Sequence, residues 1–200
     1  MTPTSYAAGT LALGLSYLIS AIPFGLLVFK LGRGGDIRAQ GSGNIGATNV
    51  FRAGGKWAGT ATLVLDIGKG ALSVALVRGI TSDPRWTAAA AFASVLGHCF
   101  PIYLRFKGGK GIATGCGAYG VLAPLPMGIT LGVFLVAMLI TRMVSVGSIC
   151  AGIALPLLIL WLQPERPLLV SVGAAAALVI LRHQANVRRI LAGGEHRISR

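Results

Sequence analysis

The chain alternates long uncharged runs with short, glycine-rich basic segments. Residues 1–29, 111–141, 143–164 and 167–181 carry no charged side chain; 57–77 and 86–104 are apolar apart from Asp66 and Lys69 in the first and His98 in the second. A helix needs about 20 apolar residues to cross a hydrocarbon core of about 30 Å, so these runs predict membrane helices. The run 111–141 stands out, because its 31 residues would extend roughly 46 Å as one straight helix. Pro124 and Pro126 mark where it folds back into two short helices.

That hairpin decides the topology. With it, fourteen of the eighteen Lys and Arg side chains share one side of the membrane, Arg78, Arg85 and Arg166 lie on the other, and Lys69 lies within a span. The positive-inside bias then predicts seven spans, with the N-terminus outside and the C-terminus cytoplasmic; five spans keep the same parity. The first charged residue is Lys30, so the first run lacks the basic start of a cleaved signal and reads as a retained span. The expected fold is all-α: a polytopic integral membrane helix bundle, residues 1–200 forming a single domain.

Composition agrees with this pattern. With 54% hydrophobic and 12% charged residues and a mean hydropathy of +0.75, the chain has too little polar surface to cover a soluble core. The formal charge of +13 follows cytoplasmic loops rather than nucleic acid, and no nucleic-acid partner is expected. Cys99, Cys116 and Cys150 are odd in number and show no C-x-x-C or Cys/His spacing, which argues against a disulfide framework or a zinc site. No metal and no cofactor are expected.

Three basic segments carry candidate chemistry. The first, "GSGNIGATNVFR" at 41–52, satisfies G-x-G-x-x-G through Gly41, Gly43 and Gly46, with Asp66 20 residues beyond Gly46. A dinucleotide site needs a preceding strand in a soluble βαβ unit, whereas this loop follows a membrane helix and Asp66 lies inside the next one. Glycines still let backbone N–H groups converge on an anion, Ser42, Asn44, Thr48 and Asn49 add neutral donors, and Arg52 can grip phosphate. A membrane-surface connector touching lipid headgroups is the plain alternative. The second, "GHCFPIYLRFKGGKGIATG" at 97–115, turns at Pro101 and places Lys107, Gly108, Gly109, Lys110 and Gly111 before a helix N-terminus, which favours anions. The third, "RHQANVRRILAGGEHR" at 182–197, puts His183 and Asn186 on one helix face; its plain alternative is a basic helix lying on anionic lipid. Asp66 and Lys69, three residues apart within a span, read as a structural ion pair.

Taken together and in order, "GSGNIGATNVFR", "GHCFPIYLRFKGGKGIAT" and "RHQANVRRILAGGE" resemble the bacterial membrane acyl-phosphate-dependent glycerol-3-phosphate acyltransferases over essentially the whole chain. Ile45, where many relatives carry Pro, is the one departure. The resemblance implies transfer of an acyl group from acyl phosphate to sn-glycerol 3-phosphate, giving lysophosphatidic acid, by a monomer in the bacterial inner (plasma) membrane whose active site faces the cytoplasm. It also implies that Ser42, Asn44, Ala47, Thr48, Asn49 and Arg52 line a phosphate site. Lys110 and the glycines of the second motif, with Lys107, would hold glycerol phosphate, His183 and Asn186 would lie at the reacting centre with Ser42 and Arg52, and Glu195 would be architectural.

A transporter for a phosphorylated solute is the alternative function. It calls for basic residues near the midplane and inverted repeats, whereas the cations and all three motifs cluster at one face. A noncatalytic lipid-binding scaffold leaves the neutral donors Ser42, Asn44, Asn49 and Asn186 without a role. No Ser/His/Asp triad or G-x-S-x-G elbow suggests a covalent acyl-enzyme.

Overall fold

The computed structural model describes residues 3–198. Among them are ten α-helices, two 3-10 turns and no strand. The helices are α1 (Pro3–Ala21), α2 (Phe24–Arg33), α3 (Ala47–Gly54), α4 (Lys56–Ile80), α5 (Pro84–Cys99), α6 (Ile112–Leu122), α7 (Pro124–Thr141), α8 (Val144–Leu162), α9 (Arg166–Arg182) and α10 (Gln184–Leu191), with the 3-10 turns at Ile37–Ala39 and Ile102–Leu104.

Hydrogen bonds between distant segments define two ends of the bundle. At one end Arg78 donates to the Val121 carbonyl at 3.1 Å and Gln163 donates to the Leu122 carbonyl at 3.3 Å. At the other, Tyr17 donates to the Phe100 carbonyl at 2.6 Å, Arg182 donates to the carbonyls of Gly108 and Gly109, and the Ile198 N–H donates to the Arg142 carbonyl at 2.8 Å. Helix α6 therefore starts, and α7 finishes, at the same end. The long apolar run is a hairpin, turned at Ala123 (φ −140°, ψ 69°) with Pro124 and Pro126 in the first turn of α7, where a missing N–H costs nothing.

Helices α1 and α4 to α9 pack together between these ends. Five segments are long and apolar enough to cross a membrane on their own, and α9 reaches that length only together with α10, across a bend of 51°. Helix α6 has 11 residues, roughly 16 Å and about half a hydrocarbon core. It is sheltered by protein: Thr114, Gly117, Ala118 and Tyr119 are buried, and α4 and α5 pack along it. Helices α7 and α8 instead expose Leu139, Ile140, Leu157 and Trp161, an apolar surface suited to lipid.

The first apolar run passes as one span, Tyr6–Arg33, with an interruption in its helix. It breaks at Ile22 and Pro23, because proline cannot donate to the preceding turn. The Ile22 carbonyl then accepts from the Phe24 N–H at 3.1 Å and from Lys69 Nζ at 2.8 Å. Lys69 lies 2.8 Å from Asp66, and His98 Nδ1 approaches the same carboxylate oxygen at 3.7 Å. Asp66 is 1% and Lys69 4% exposed, so an isolated charge here would be costly and the pairing is what lets both remain. The pair ties α4 to the α1–α2 break on one side and to α5 on the other.

Close approach of α4 and α6 depends on two reciprocal glycines. A Cβ on Gly117 would fall on the Ile67 carbonyl oxygen, and a Cβ on Gly70 on the Thr114 carbonyl oxygen. Gly117→Val is expected to push the helices apart and to cost about 1–3 kcal/mol, the range of overpacking. Gly132→Val, at a position with nothing within 4 Å, is expected to be neutral in the same thermal denaturation series.

Candidate functional site

The first loop is folded around one side chain. Asn49, in the first turn of α3 and 2% exposed, accepts from the Ser42 N–H at 2.9 Å and donates to the carbonyls of Asn44 at 2.9 Å and Gln40 at 3.0 Å. Gly41 passes so close that a Cβ would collide with Asn49 Oδ1, and its φ of +55° lies in the left-handed region, which favours glycine. Asn44 Oδ1 accepts from the Gly46 N–H at 2.8 Å, fixing the entry to α3, while Ile37, Ile45, Val50 and Phe29 form a small apolar core beneath. Asn49, expected among the phosphate ligands, thus spends its amide on the loop. The side chains of Ser42, Thr48 and Arg52 make no hydrogen bond among the described residues, and Ala47 opens the helix beside them.

The second segment is held from below and from the side. After α5 stops before Pro101, Arg105 and Phe106 take left-handed conformations (φ 52° and 63°), which turn the chain back so that the Gly109 N–H donates to the His98 carbonyl at 3.0 Å. A Cβ on Gly109 would strike His98 Nε2, so the loop sits directly on the ring that faces Asp66. Arg182 donates to the Gly108 carbonyl at 2.8 Å and to the Gly109 carbonyl at 3.0 Å, its guanidinium 5.3 Å from the Phe100 ring centroid. Gly108 and Gly109, expected to hold a ligand, therefore have their carbonyls and one N–H engaged within the protein. Lys107 is exposed; Lys110 turns inward, just before Gly111 and the start of α6.

The third segment completes the arrangement. At the bend between α9 and α10, His183 is 2% exposed and its Nδ1 lies 2.7 Å from the Val179 carbonyl oxygen. A carbonyl can only accept, so Nδ1 carries the proton and Nε2 is left for a ligand. Asn186 Oδ1 accepts from Lys110 Nζ. Its amide donates to Glu195 Oε1 at 2.6 Å, and Arg189 donates to Glu195 Oε2 at 2.7 Å.

These contacts join the second and third segments around Lys110. Burial lowers the Lys110 pKa to about 8; Glu195 acts to raise it, while Arg189, Arg52 and Arg182 lower it further. Burial alone would push the Glu195 carboxyl up, but hydrogen bonds from Asn186 and Arg189 outweigh it and hold the group below its usual range. Four cations thus face one acid, with neutral donors beside them, an arrangement fitted to a phosphate dianion. Beside Gly111 a partly open apolar pocket lies between α6, α7, α8 and α9, lined along α6 from Gly111 to Tyr119. The described residues offer no group of three or more His, Cys, Asp or Glu placed to hold a metal.

Residues 10–193 match the family model described as glycerol-3-phosphate acyltransferase. The chain belongs to the glycerol-3-phosphate acyltransferase family. It is 44% identical to the glycerol-3-phosphate acyltransferase of Syntrophotalea carbinolica over 91% of this chain and 93% of that protein. It is 45% identical to that of Dinoroseobacter shibae over 99% of this chain and 98% of the relative. Among solved structures it is similar to PlsY (YgiH), an integral membrane glycerol 3-phosphate acyltransferase, in its glycerol 3-phosphate form: TM-score 0.91, 37% identity, 96% of each chain. The lysophosphatidic acid form of PlsY matches with TM-score 0.88 and 36% identity over 96% of this chain and 95% of that one.

Family membership does not by itself assign the residues. Two that sequence reading left out of the candidate set, Arg182 and Arg189, are among the most engaged: one clamps the glycine loop, the other holds Glu195. The signal was present, since both recur with His183 and Asn186 at helical spacing, but basic residues after a span read equally well as lipid contacts. Arg188 and Arg197 are exposed, as residues of a basic segment lying on lipid would be, and Arg200 lies outside the described residues.

The lowered Lys110 pKa sets a pH dependence. Lys110 is cationic below about 8, while a phosphate monoester becomes dianionic above about 6. Affinity of the free protein for glycerol 3-phosphate is expected to peak between these values and to fall as pH rises through about 8. Lys110→Arg, cationic throughout, is expected to lack that upper limb in titration calorimetry.

Proposed function

We propose that this protein transfers a fatty acyl group from acyl phosphate to the hydroxyl of sn-glycerol 3-phosphate. The products are 1-acyl-sn-glycerol 3-phosphate and inorganic phosphate, in the first committed step of phospholipid synthesis. The observation that supports this reading most is that Lys110, held by Asn186, immediately precedes Gly111, which lines the apolar pocket: a cationic site adjoins space for a hydrocarbon tail. The family and the two PlsY forms, one with glycerol 3-phosphate and one with lysophosphatidic acid, support the same acceptor and product.

In this reading Ser42, Asn44, Thr48 and Arg52, on the loop braced by Asn49, face one phosphate. Lys110, held by Asn186, faces the other, and Gly111 leads the acyl tail into the cavity. The hydroxyl oxygen attacks the acyl carbonyl, the carbon–oxygen bond to phosphate breaks, and the hydroxyl proton passes to a phosphate oxygen. Acyl phosphate is a mixed anhydride with a good leaving group, so the protein's main work is to orient two anions and to stabilise developing charge. His183 Nε2 then orients the acceptor rather than removing its proton. The chain acts as a monomer in the bacterial inner (plasma) membrane, with seven spans, the N-terminus outside and the site at the cytoplasmic face; the one-sided clustering of Lys and Arg supports that orientation.

Purified protein given acyl phosphate and glycerol 3-phosphate is expected to release inorganic phosphate and form lysophosphatidate, with acyl-CoA unable to substitute. Uptake of glycerol 3-phosphate into sealed vesicles without turnover would contradict the proposal. His183→Ala is expected to lose about 10²-fold in rate, the order that misplacing a substrate costs, together with a higher KM for glycerol 3-phosphate. Full rescue by imidazole at unchanged acceptor affinity would contradict the orienting role.

A further inference from the structure

The cavity beneath Lys110 has a built floor. Along α6 it runs from Gly111 past Gly115 to Tyr119, and Met127 of α7 and Val172 of α9 line it together with that tyrosine. The Tyr119 and Ser171 hydroxyls lie 2.8 Å apart, and Ser171 in turn donates to the Ala88 carbonyl of α5 at 2.5 Å. Tyr119 is 1% and Ser171 6% exposed. The chain of hydrogen bonds fixes the tyrosine ring across the space between α5, α6 and α9. A bulky side chain locked in this way forms a wall, whereas the flexible thioether beside it can yield.

The depth is short for a membrane lipid. Eight residues separate Gly111 from Tyr119, roughly 12 Å of helix. A fully extended chain advances about 1.2 Å per bond, by the same geometry that gives about 3.5 Å per three-bond residue. We propose that the cavity is a ruler whose floor is Tyr119 clamped by Ser171, so that the protein grips about the first ten carbons of the acyl donor and any longer tail turns out into the bilayer. This rests on the acyl-transfer reading above. Each carbon that fits gains burial against protein, and each carbon beyond exchanges lipid for lipid and gains nothing.

The test is kcat/KM across saturated acyl phosphates from six to eighteen carbons, each referred to its concentration in the bilayer. In the unaltered protein the value is expected to change with each added methylene up to about ten carbons and to level off beyond. Gly115→Leu, placed halfway down where an added Cβ meets only Val95 at an ordinary 3.5 Å, leaves room for about five carbons and is expected to flatten the series from six carbons upward; turnover of the six-carbon donor shows it folded. Tyr119→Ala is expected to move the break several carbons longer, and Tyr119→Phe, which keeps the ring, to leave it near ten. Breaks that stay in place in both Gly115→Leu and Tyr119→Ala, or a rise that continues evenly to eighteen carbons, would overturn the ruler while leaving the acyl-transfer activity standing. Inactivity of the unaltered protein with every donor would overturn both.

Discussion

A single carboxylate connects the second and third chemistry-bearing segments of this molecule. Glu195 accepts from Asn186 and Arg189, and Asn186 uses its other amide atom to accept from Lys110. Without that acid, Lys110, Arg52, Arg182 and Arg189 would repel one another across a partly buried space. With it, they remain close and keep an excess of positive charge. A neutral donor network could hold the same geometry but could not offset the repulsion, which is why the one acid near the cluster lies within it rather than on the surface.

The membrane segments serve this end of the bundle. Asp66 and Lys69 join α4 to the break between α1 and α2, and Asp66 faces His98, whose backbone and ring carry the glycine loop. The intramembrane ion pair is thus a footing for the loop above it. Short α6 serves a second purpose: starting at the loop and ending within the protein, it leaves space between α7, α8 and α9 for an apolar ligand. The fold therefore places a polar, cationic mouth over an apolar interior along a single helix axis.

Much of this was legible in the sequence, for physical reasons. Uncharged runs give membrane helices because lipid offers backbone groups no partners, and the excessive length of 111–141 together with Pro124 located the hairpin. The Asp66–Lys69 pair followed from the cost of a lone charge in a membrane. Other features depended on contacts that spacing does not encode. Pro23 breaks the first run, although no charge marks the place. Asn49 looks like a ligand donor by composition but is the loop's own brace, and Arg182 and Arg189 could not be told from headgroup contacts until their carbonyl and carboxylate partners were located. Residues whose role is to bind another part of the same chain are the ones that a reading of local pattern misassigns.

The claim that Glu195 organises the site separates cleanly from simple electrostatics. Glu195→Gln removes a negative charge beside a proposed anion site, and if charge alone mattered, glycerol 3-phosphate would bind more tightly. Glutamine, however, presents one acceptor and one donor where Asn186 and Arg189 both require an acceptor. Titration calorimetry with glycerol 3-phosphate is expected to show affinity at least tenfold weaker in Glu195→Gln than in the unaltered protein. Equal or tighter binding would contradict the account.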